Sequence, residues 1–204
     1  MKTVLHLLLV TSLISSLCSC VNFQENITLR LDGSGEAKYR LSFSSDCPES
    51  VREKIVKDIN SLRESLQPAL STALDLSISC TSSACSLKID FSDVQDLNLL
   101  WEVYLEKYEV LNAFMPPKHY GFDQVSFSRY FNDLFLKESY EELVPFKSQP
   151  TYSSFFFFEQ PVAGQTNPEA SLSGNKKVSA LKVDFASVKK GESIISNNIV
   201  FALN

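Results

Sequence analysis

The chain has 204 residues, of which 44% are hydrophobic, 21% charged and 11% aromatic. This mixture is too apolar for a disordered chain and too often interrupted by charge for a multi-span membrane protein, so we expect one or two globular domains. The net charge of −5 contains no long run of one sign, which argues against a nucleic-acid partner. With six Gly and two His, the chain has little material for phosphate-binding loops or histidine metal clusters, and we expect no cofactor or metal.

The first twenty residues have the pattern of a signal peptide. Lys2 is followed by an apolar stretch over residues 4–17 and then by small residues. As a transmembrane helix this stretch is too short and too rich in serine, because crossing the hydrocarbon core takes roughly twenty mostly apolar residues. We therefore predict that residues 1–19 are a leader that directs export.

The leader ends in Leu17, Cys18, Ser19 and Cys20. This ending resembles the lipobox of bacterial lipoproteins, in which a leucine and two small residues precede a cysteine. The resemblance implies that the Cys20 thiol receives a diacylglyceryl group and that cleavage makes Cys20 the first residue of the mature chain. Cys18 departs from the family pattern, which usually has Ala, Ser, Thr or Val there, but it is small enough to fit.

The lipobox resemblance implies a membrane partner, reached through the N-terminal acyl chains. Two or three such chains anchor a protein stably, since each buried methylene contributes about 0.8 kcal/mol. Residues 20–25 would then be an acylated tether. Val21 stands where retained inner-membrane lipoproteins carry Asp, which implies the outer membrane of a bacterial envelope, on its periplasmic or external side. The serine- and phenylalanine-rich, glycine-poor composition is similar to that of chlamydial lipoproteins.

A secreted eukaryotic protein is the alternative interpretation of the leader. Asn26, Ile27 and Thr28 form a glycosylation tripeptide. Because this tripeptide occurs often by chance, we favour the lipobox.

The mature chain opens with a hairpin pattern. Apolar and polar residues alternate over residues 26–32 and again over 37–44, with a Gly-bearing turn between them. The register that puts every apolar residue on one face sets Leu31 opposite Ala37, Leu29 opposite Tyr39, and Ile27 opposite Leu41.

Two helices and a second hairpin follow. Asp46 predicts the start of a helix whose apolar stripe, Val51, Ile55, Ile59, Leu62 and Leu66, ends near Pro68. The second hairpin sets Leu74 opposite Phe91, Leu76 opposite Ile89, Ile78 opposite Leu87 and Cys80 opposite Cys85. A capping pattern at residues 92–95 then opens a helix with Leu97, Trp101, Tyr104, Tyr108 and Leu111 on one side.

Cys80 and Cys85 are the predicted disulfide. Directly opposed residues of an antiparallel pair lie at a separation that a disulfide accepts, and export favours oxidation. The competing pairs, Cys47 with Cys80 or with Cys85, need the start of the first helix to lie over the hairpin tip. None of these cysteines has the paired spacing of a zinc site.

The order strand, strand, helix, strand, strand, helix over residues 26–112 predicts an α+β fold, an antiparallel sheet of hairpins with helices on one face. It is similar to the domain of several bacterial lipoproteins, including the LppM-like group. The residues that carry this resemblance are Asp32, Gly33 and Ser34 in the first turn and Phe91, Ser92 and Asp93 before the later helix.

Residues 113–204 are predicted to complete the same domain, 26–204, with a helix and C-terminal strands. The helix is expected over residues 125–144, and a strand buried on both faces over 155–158. A long loop is expected over 164–177, followed by strands over 178–185 and 199–203.

Groups capable of catalysis are few in the mature chain. His119 is its one histidine and could act as a base near Asp123, but an exposed loop residue is the simpler interpretation. Asp90 and Asp93 flank a helix start, where a capping role explains them. The carboxylates of Glu138, Glu141 and Glu142 fit the solvated face of a helix. We expect no catalytic residues.

Aromatic residues are the remaining feature. A large core explains most of them, but aromatics in excess of a core mark binding surfaces. The possible binding aromatics are Trp101, Tyr104, Tyr108 and Phe131.

Three functional hypotheses follow. The favoured one is a lipid-anchored envelope protein with a non-enzymatic, structural or interaction role, whose partner is an envelope protein or lipid. The second is a module that binds a lipid or peptide, which a cavity beneath Trp101 would favour. The third is an envelope hydrolase, which a buried pair of carboxylates or His119 in a cleft would favour.

Overall fold

The computed structural model describes residues 21–45, 47–66, 74–105, 118–131, 151–184 and 195–202. Within these ranges the elements, in chain order, are β1 (Val21–Leu29), β2 (Gly35–Phe43), α1 (Glu49–Leu66), β3 (Leu74–Cys80), β4 (Ala84–Phe91), α2 (Val94–Leu105), β5 (Lys118–Phe122), β6 (Ser126–Phe131), β7 (Thr151–Phe158), β8 (Val162–Gln165), β9 (Ser171–Leu172), β10 (Val178–Asp184) and β11 (Asn197–Phe201). Neither helix in these ranges is both long enough and apolar enough to cross a bilayer.

The strands form two sheets. A seven-stranded sheet has the order β3-β4-β2-β1-β7-β10-β9, and a four-stranded sheet has the order β5-β6-β11-β8. The class is α+β, as predicted, with strands predominating. However, the larger sheet is mixed rather than antiparallel, because β1 and β7 pair in parallel. No hairpin turn can join parallel neighbours, and so no local sequence signal marked this pairing.

The inward face of the seven-stranded sheet is covered in two ways. We call β3, β4 and β2, with α1 and α2 against them, the helix-covered half; there Trp101 of α2 packs edge-on against Tyr39 at 5.4 Å between ring centroids. We call β1, β7 and β10, with the four-stranded sheet against them, the sheet-covered half. In it Phe127 of β6 lies 5.2 Å from Phe156 and 5.8 Å from Phe158 of β7. The two halves share one continuous core.

The first hairpin differs from its prediction in length and register. β1 begins at Val21, so the expected tether over residues 20–25 is strand from residue 21 onward. Ile27 lies opposite Ala37 and Leu29 opposite Gly35, a shift of four positions from the predicted register. The physical reason is the turn: Arg30 N–H donates to the Ser34 carbonyl at 2.9 Å, which leaves Leu31 in the loop and 50% exposed. An even shift keeps the apolar residues on the predicted face.

The elements of the helix-covered half follow their predictions closely. α1 buries Val51, Ile55, Ile59 and Leu62, and the β3–β4 register is the predicted one, from Leu74 opposite Phe91 to Cys80 opposite Cys85. The cap of α2 lies one residue later than expected. Asp93 accepts from the Gln95 N–H at 2.8 Å, and Asp96 accepts from the Asp93 N–H at 3.0 Å.

The prediction of a helix over residues 125–144 is wrong in its described part. Residues 126–131 form β6, and residues 132–144, with Glu138, Glu141 and Glu142, lie outside the described residues. Phe127 and Arg129 point inward while Ser126 and Ser128 are only partly buried, so the true period is two. Because the inward residue Arg129 is charged, a search for alternating apolar residues does not detect this strand.

The later strands need smaller corrections. β7 is not buried on both faces, because Phe156 and Phe158 are inward while Phe157 is 38% exposed. The expected loop over residues 164–177 contains the end of β8 and all of β9. The two predicted C-terminal strands correspond to β10 and β11, displaced by at most two residues.

Candidate functional site

A buried polar cluster lies where the two sheets face each other. It consists of Glu25 on β1, Tyr39 on β2, Tyr120 on β5, Arg129 on β6 and Tyr152 on β7, all essentially inaccessible to solvent. Glu25 and Arg129 form a salt bridge of 2.7 Å between Oε2 and Nη1. This contact joins the seven-stranded sheet to the four-stranded sheet through two opposite charges.

Tyrosine hydroxyls complete the contacts of the Glu25 carboxylate. Tyr120 donates to Oε1 and Tyr152 donates to Oε2. Tyr152 also accepts from Arg129 Nη1 at 2.5 Å, and the hydroxyls of Tyr39 and Tyr120 are 3.1 Å apart. Each carboxylate oxygen therefore has a donor, as a buried charge requires.

Arg129 and Tyr120 are also held by the polypeptide around them. Arg129 Nη2 donates to the Ile195 carbonyl, while its Nε has no hydrogen-bond partner among the described residues. Asn98, buried on α2, donates to the Tyr120 carbonyl at 3.0 Å and accepts from its N–H at 2.8 Å. Because these bonds fix β5 against α2, the Tyr120 hydroxyl is positioned by two layers.

The electrostatics of the cluster favour neutral tyrosines beside one ion pair. Burial raises the pKa of Tyr39, Tyr120 and Tyr152 well above the usual range, and the neighbouring Glu25 carboxylate raises each further. Burial works against the charged Arg129 guanidinium, but Tyr152 and Glu25 together raise its pKa on balance. Because its five side chains are buried, the cluster bonds the layers together and presents no group to a substrate while the sheets stay packed.

Sequence reasoning missed this cluster, although one signal was present. Glu25 lies at an inward position of β1, between buried Phe23 and Ile27, and Arg129 follows buried Phe127 by two residues. A charged residue at an inward position of an alternating strand indicates a buried charge, provided that a residue of opposite charge occupies an inward position of another strand.

The predicted lipidation site, Cys20, and its neighbour Cys18 lie outside the described residues. The next residue, Val21, is 2% exposed and lies opposite Phe43.

The predicted disulfide pair is joined, with the two sulfurs 2.12 Å apart and the Cα atoms 4.1 Å apart. This pairing excludes both competing pairs of Cys47 with Cys80 or Cys85. Cys47 is buried just before α1 and pairs with neither of these two cysteines.

The predicted binding aromatics are placed only in part. Trp101 is 2% exposed and packs within the core. Tyr104 lies in α2 and Phe131 ends β6, but their side chains are outside the description, as is all of Tyr108. The position of Trp101 is that of a core residue.

The other candidate groups are on the surface. His119 is exposed on β5, opposite Tyr130, rather than in a loop. Asp123 caps the β5–β6 turn by accepting from Ser126, which lowers the pKa of its carboxyl. Within the described ranges, no group of three or more His, Cys, Asp or Glu side chains could hold a metal ion.

A shallow depression lies at the end of the sheets remote from Val21. Apolar side chains of Leu29, Phe122, Phe158 and Phe201 form its floor. At its rim Glu159 accepts a hydrogen bond of 3.0 Å from the Leu31 N–H, so the polar group there is already engaged.

Comparisons with known proteins add little. No family model matches the chain, and no curated protein matches it in sequence. Among solved structures, the NMR structure of the folded domain of the Mycobacterium tuberculosis LppM protein is similar, with a TM-score of 0.47 and 9% identity over 91% of each chain. The functional proposal rests on this chain's own residues.

Proposed function

We propose that the protein is a bacterial envelope lipoprotein, anchored at the outer membrane through acyl chains on Cys20, with a non-enzymatic, structural or interaction role. One observation carries the proposal. Val21, the residue directly after the cysteine at which the lipobox pattern places cleavage, is already part of β1 and is buried.

The burial of Val21 limits where cleavage can fall. Val21 is buried and pairs with Phe43, whose N–H donates to the Ser83 carbonyl at 2.9 Å. Cleavage before Cys20 would remove residues 1–19 and leave every described strand intact. Cleavage a few residues later would remove buried side chains and ladder hydrogen bonds, so β1 limits cleavage to positions before Val21, and the lipobox site lies within that limit.

The state of the titratable groups supports the non-enzymatic role. Glu25 is the one acidic side chain among the described residues that is fully buried, and its charge is matched by Arg129. His119 projects from a strand into solvent, without a cleft around it among the described residues. A hydrolase with paired carboxylates gains no support from this arrangement. A binding module built beneath Trp101 gains none either, because Trp101 is packed against Tyr39.

Metabolic labelling with palmitate tests the proposal. The unsubstituted chain and Cys18→Ser should take up label and sediment with membranes, whereas Cys20→Ser should do neither. If Cys20→Ser still labels, the acceptor is another cysteine or the leader has been misinterpreted. Crosslinking in the native envelope, followed by mass spectrometry, would then identify the partner.

A further inference from the structure

We infer that one end of the seven-stranded sheet lies in the lipid headgroup layer, an inference that rests on the proposed acylation of Cys20. We call this end the hairpin-tip end and define it by Val21, Phe43 and the exposed β3–β4 tip at residues 81–83. The expected partner is a phospholipid surface, contacted by the tip.

No flexible linker separates the proposed anchor, Cys20, from β1, because the next residue is already part of the strand. Successive Cα atoms are about 3.8 Å apart, so Val21 lies within one residue of the sulfur that would carry the acyl chains. β1 is an interior strand, paired with β2 on one side and with β7 on the other. It cannot peel away to serve as a tether without breaking both ladders.

The β3–β4 tip lies at the same end of the sheet as Val21. Val21 lies opposite Phe43, and Ser42 lies opposite Ala84 at the start of β4. Neighbouring strands are about 4.8 Å apart, so the tip is roughly 10 Å from β1 in the plane of the sheet. An anchor at Val21 therefore brings the tip to the membrane surface with it.

The side chains of the tip are hydrogen-bonding groups. Thr81, Ser82 and Ser83 are exposed and carry hydroxyls but no charge, and the Arg52 guanidinium lies 3.4 Å from the Ser82 carbonyl. Hydroxyls and a guanidinium both donate hydrogen bonds to phosphate oxygens. Glu49 is exposed nearby at the start of α1, so recognition depends on these donors rather than on a strong net charge. The Cys80–Cys85 disulfide closes the base of the tip.

The opposite end of the sheet has a different character. The nine residues of β1 rise about 3.3 Å each, which places the turn at residues 30–34 roughly 30 Å from Val21. Exposed side chains of both charges lie at that end: Asp32 and Glu159, and also Arg30, Lys176 and Lys177. Distance from the anchor, and not charge, therefore separates this end from the proposed membrane surface.

Quenching by brominated lipids tests this orientation. The natural chain has one tryptophan, Trp101, which is buried and gives a constant background. Ser82→Trp adds a probe at the tip, and Leu31→Trp adds one at the opposite turn, where Leu31 is already exposed. Each acylated protein, its acylation verified by mass, is bound to vesicles of phosphatidylethanolamine and phosphatidylglycerol that contain brominated lipid.

We expect the Ser82→Trp probe to be quenched several-fold more than the Leu31→Trp probe. Equal quenching, or stronger quenching of Leu31→Trp, in acylated vesicle-bound protein overturns the orientation and leaves the lipid anchor standing. Failure of the chain to become acylated overturns the proposed function and the orientation together. Hydrogen exchange of the unsubstituted acylated protein provides a second measurement, in which vesicles should slow exchange at residues 81–83 but not at 31–33.

Discussion

The helix-covered and sheet-covered halves of the large sheet bury their inward faces by different means. Over the helix-covered half, apolar residues such as Ile55, Leu87 and Ile89 are buried without a charged partner. In the sheet-covered half, an ion pair of Glu25 and Arg129 lies among the apolar contacts of Phe127 and Phe156. Apolar burial is non-directional, whereas a buried charge requires a particular partner in a particular place. We therefore expect the first half to tolerate substitution and the second to fix how the two sheets stack.

Tyr39 lies at the boundary between these modes. Its ring packs against Trp101 in the helix-covered half, and its hydroxyl is 3.1 Å from that of Tyr120 in the sheet-covered half. Apolar burial and burial of an ion pair differ in how the stability of the protein responds to substitution and to pH.

Arg129→Met should have the largest effect on stability. It leaves the Glu25 carboxylate buried without its counter-charge, which typically costs about 3–5 kcal/mol. Urea denaturation of Arg129→Met, of Glu25→Leu and of the double variant measures the effect. The double variant should lose much less than the sum of the two single losses, because it removes both charges; additive losses would mean that the pair does not act as a unit.

The disulfide of the helix-covered half should contribute less. Closing the short loop from Cys80 to Cys85 restricts the unfolded chain, and replacing both residues by Ala should cost about 2–3 kcal/mol. The unsubstituted chain and the double variant are compared under oxidising conditions, in which the disulfide stays formed. No loss in urea denaturation would show that this disulfide is not formed in the tested protein.

Alkaline pH should destabilise the sheet-covered half. The folded protein holds the Tyr39, Tyr120 and Tyr152 hydroxyls protonated above pH 10, where the unfolded chain releases those protons. Stability is therefore unaffected by these groups below about pH 10 and falls above it, by up to about 1.4 kcal/mol per pH unit for each tyrosine. Denaturation at a series of alkaline pH values checks this, and Tyr152→Phe should make the slope shallower.

His119→Ala should have the smallest effect. The side chain is exposed on β5, so stability should change by less than about 0.5 kcal/mol. Any envelope phenotype of a deletion strain should be complemented fully by this variant. Loss of complementation by a folded His119→Ala protein would favour an enzymatic role over the proposed one.

The same comparison explains what the sequence could predict. α1 and the β3–β4 hairpin have uninterrupted apolar periodicity and local turns, so their faces and register followed from the residues. In β1 and β6 the inward charges Glu25 and Arg129 interrupt the apolar pattern, which delayed the predicted start of β1 and turned β6 into a predicted helix. The parallel partner of β1 could not be found locally, since Tyr152 is 127 residues from the Glu25 that it contacts.

The candidate sites also differ in whether a local stretch of sequence is enough to predict them. Cys20 rests on a contiguous motif of four residues, and the Cys80–Cys85 pair follows from strand parity within one hairpin. The buried polar cluster joins five strands and is visible only once both sheets are assembled. Aromatic count alone could not separate core from binding surface, as Trp101 illustrates.

The mature N-terminus is the most direct test of the central claim. Mass spectrometry of the N-terminal peptide, isolated from native membranes, should give a chain that begins at Cys20, carries a diacylglyceryl thioether and continues with Val21. A retained leader, a mature chain that begins at another residue, or a Cys20 sulfur found as a thiol or disulfide would contradict the account.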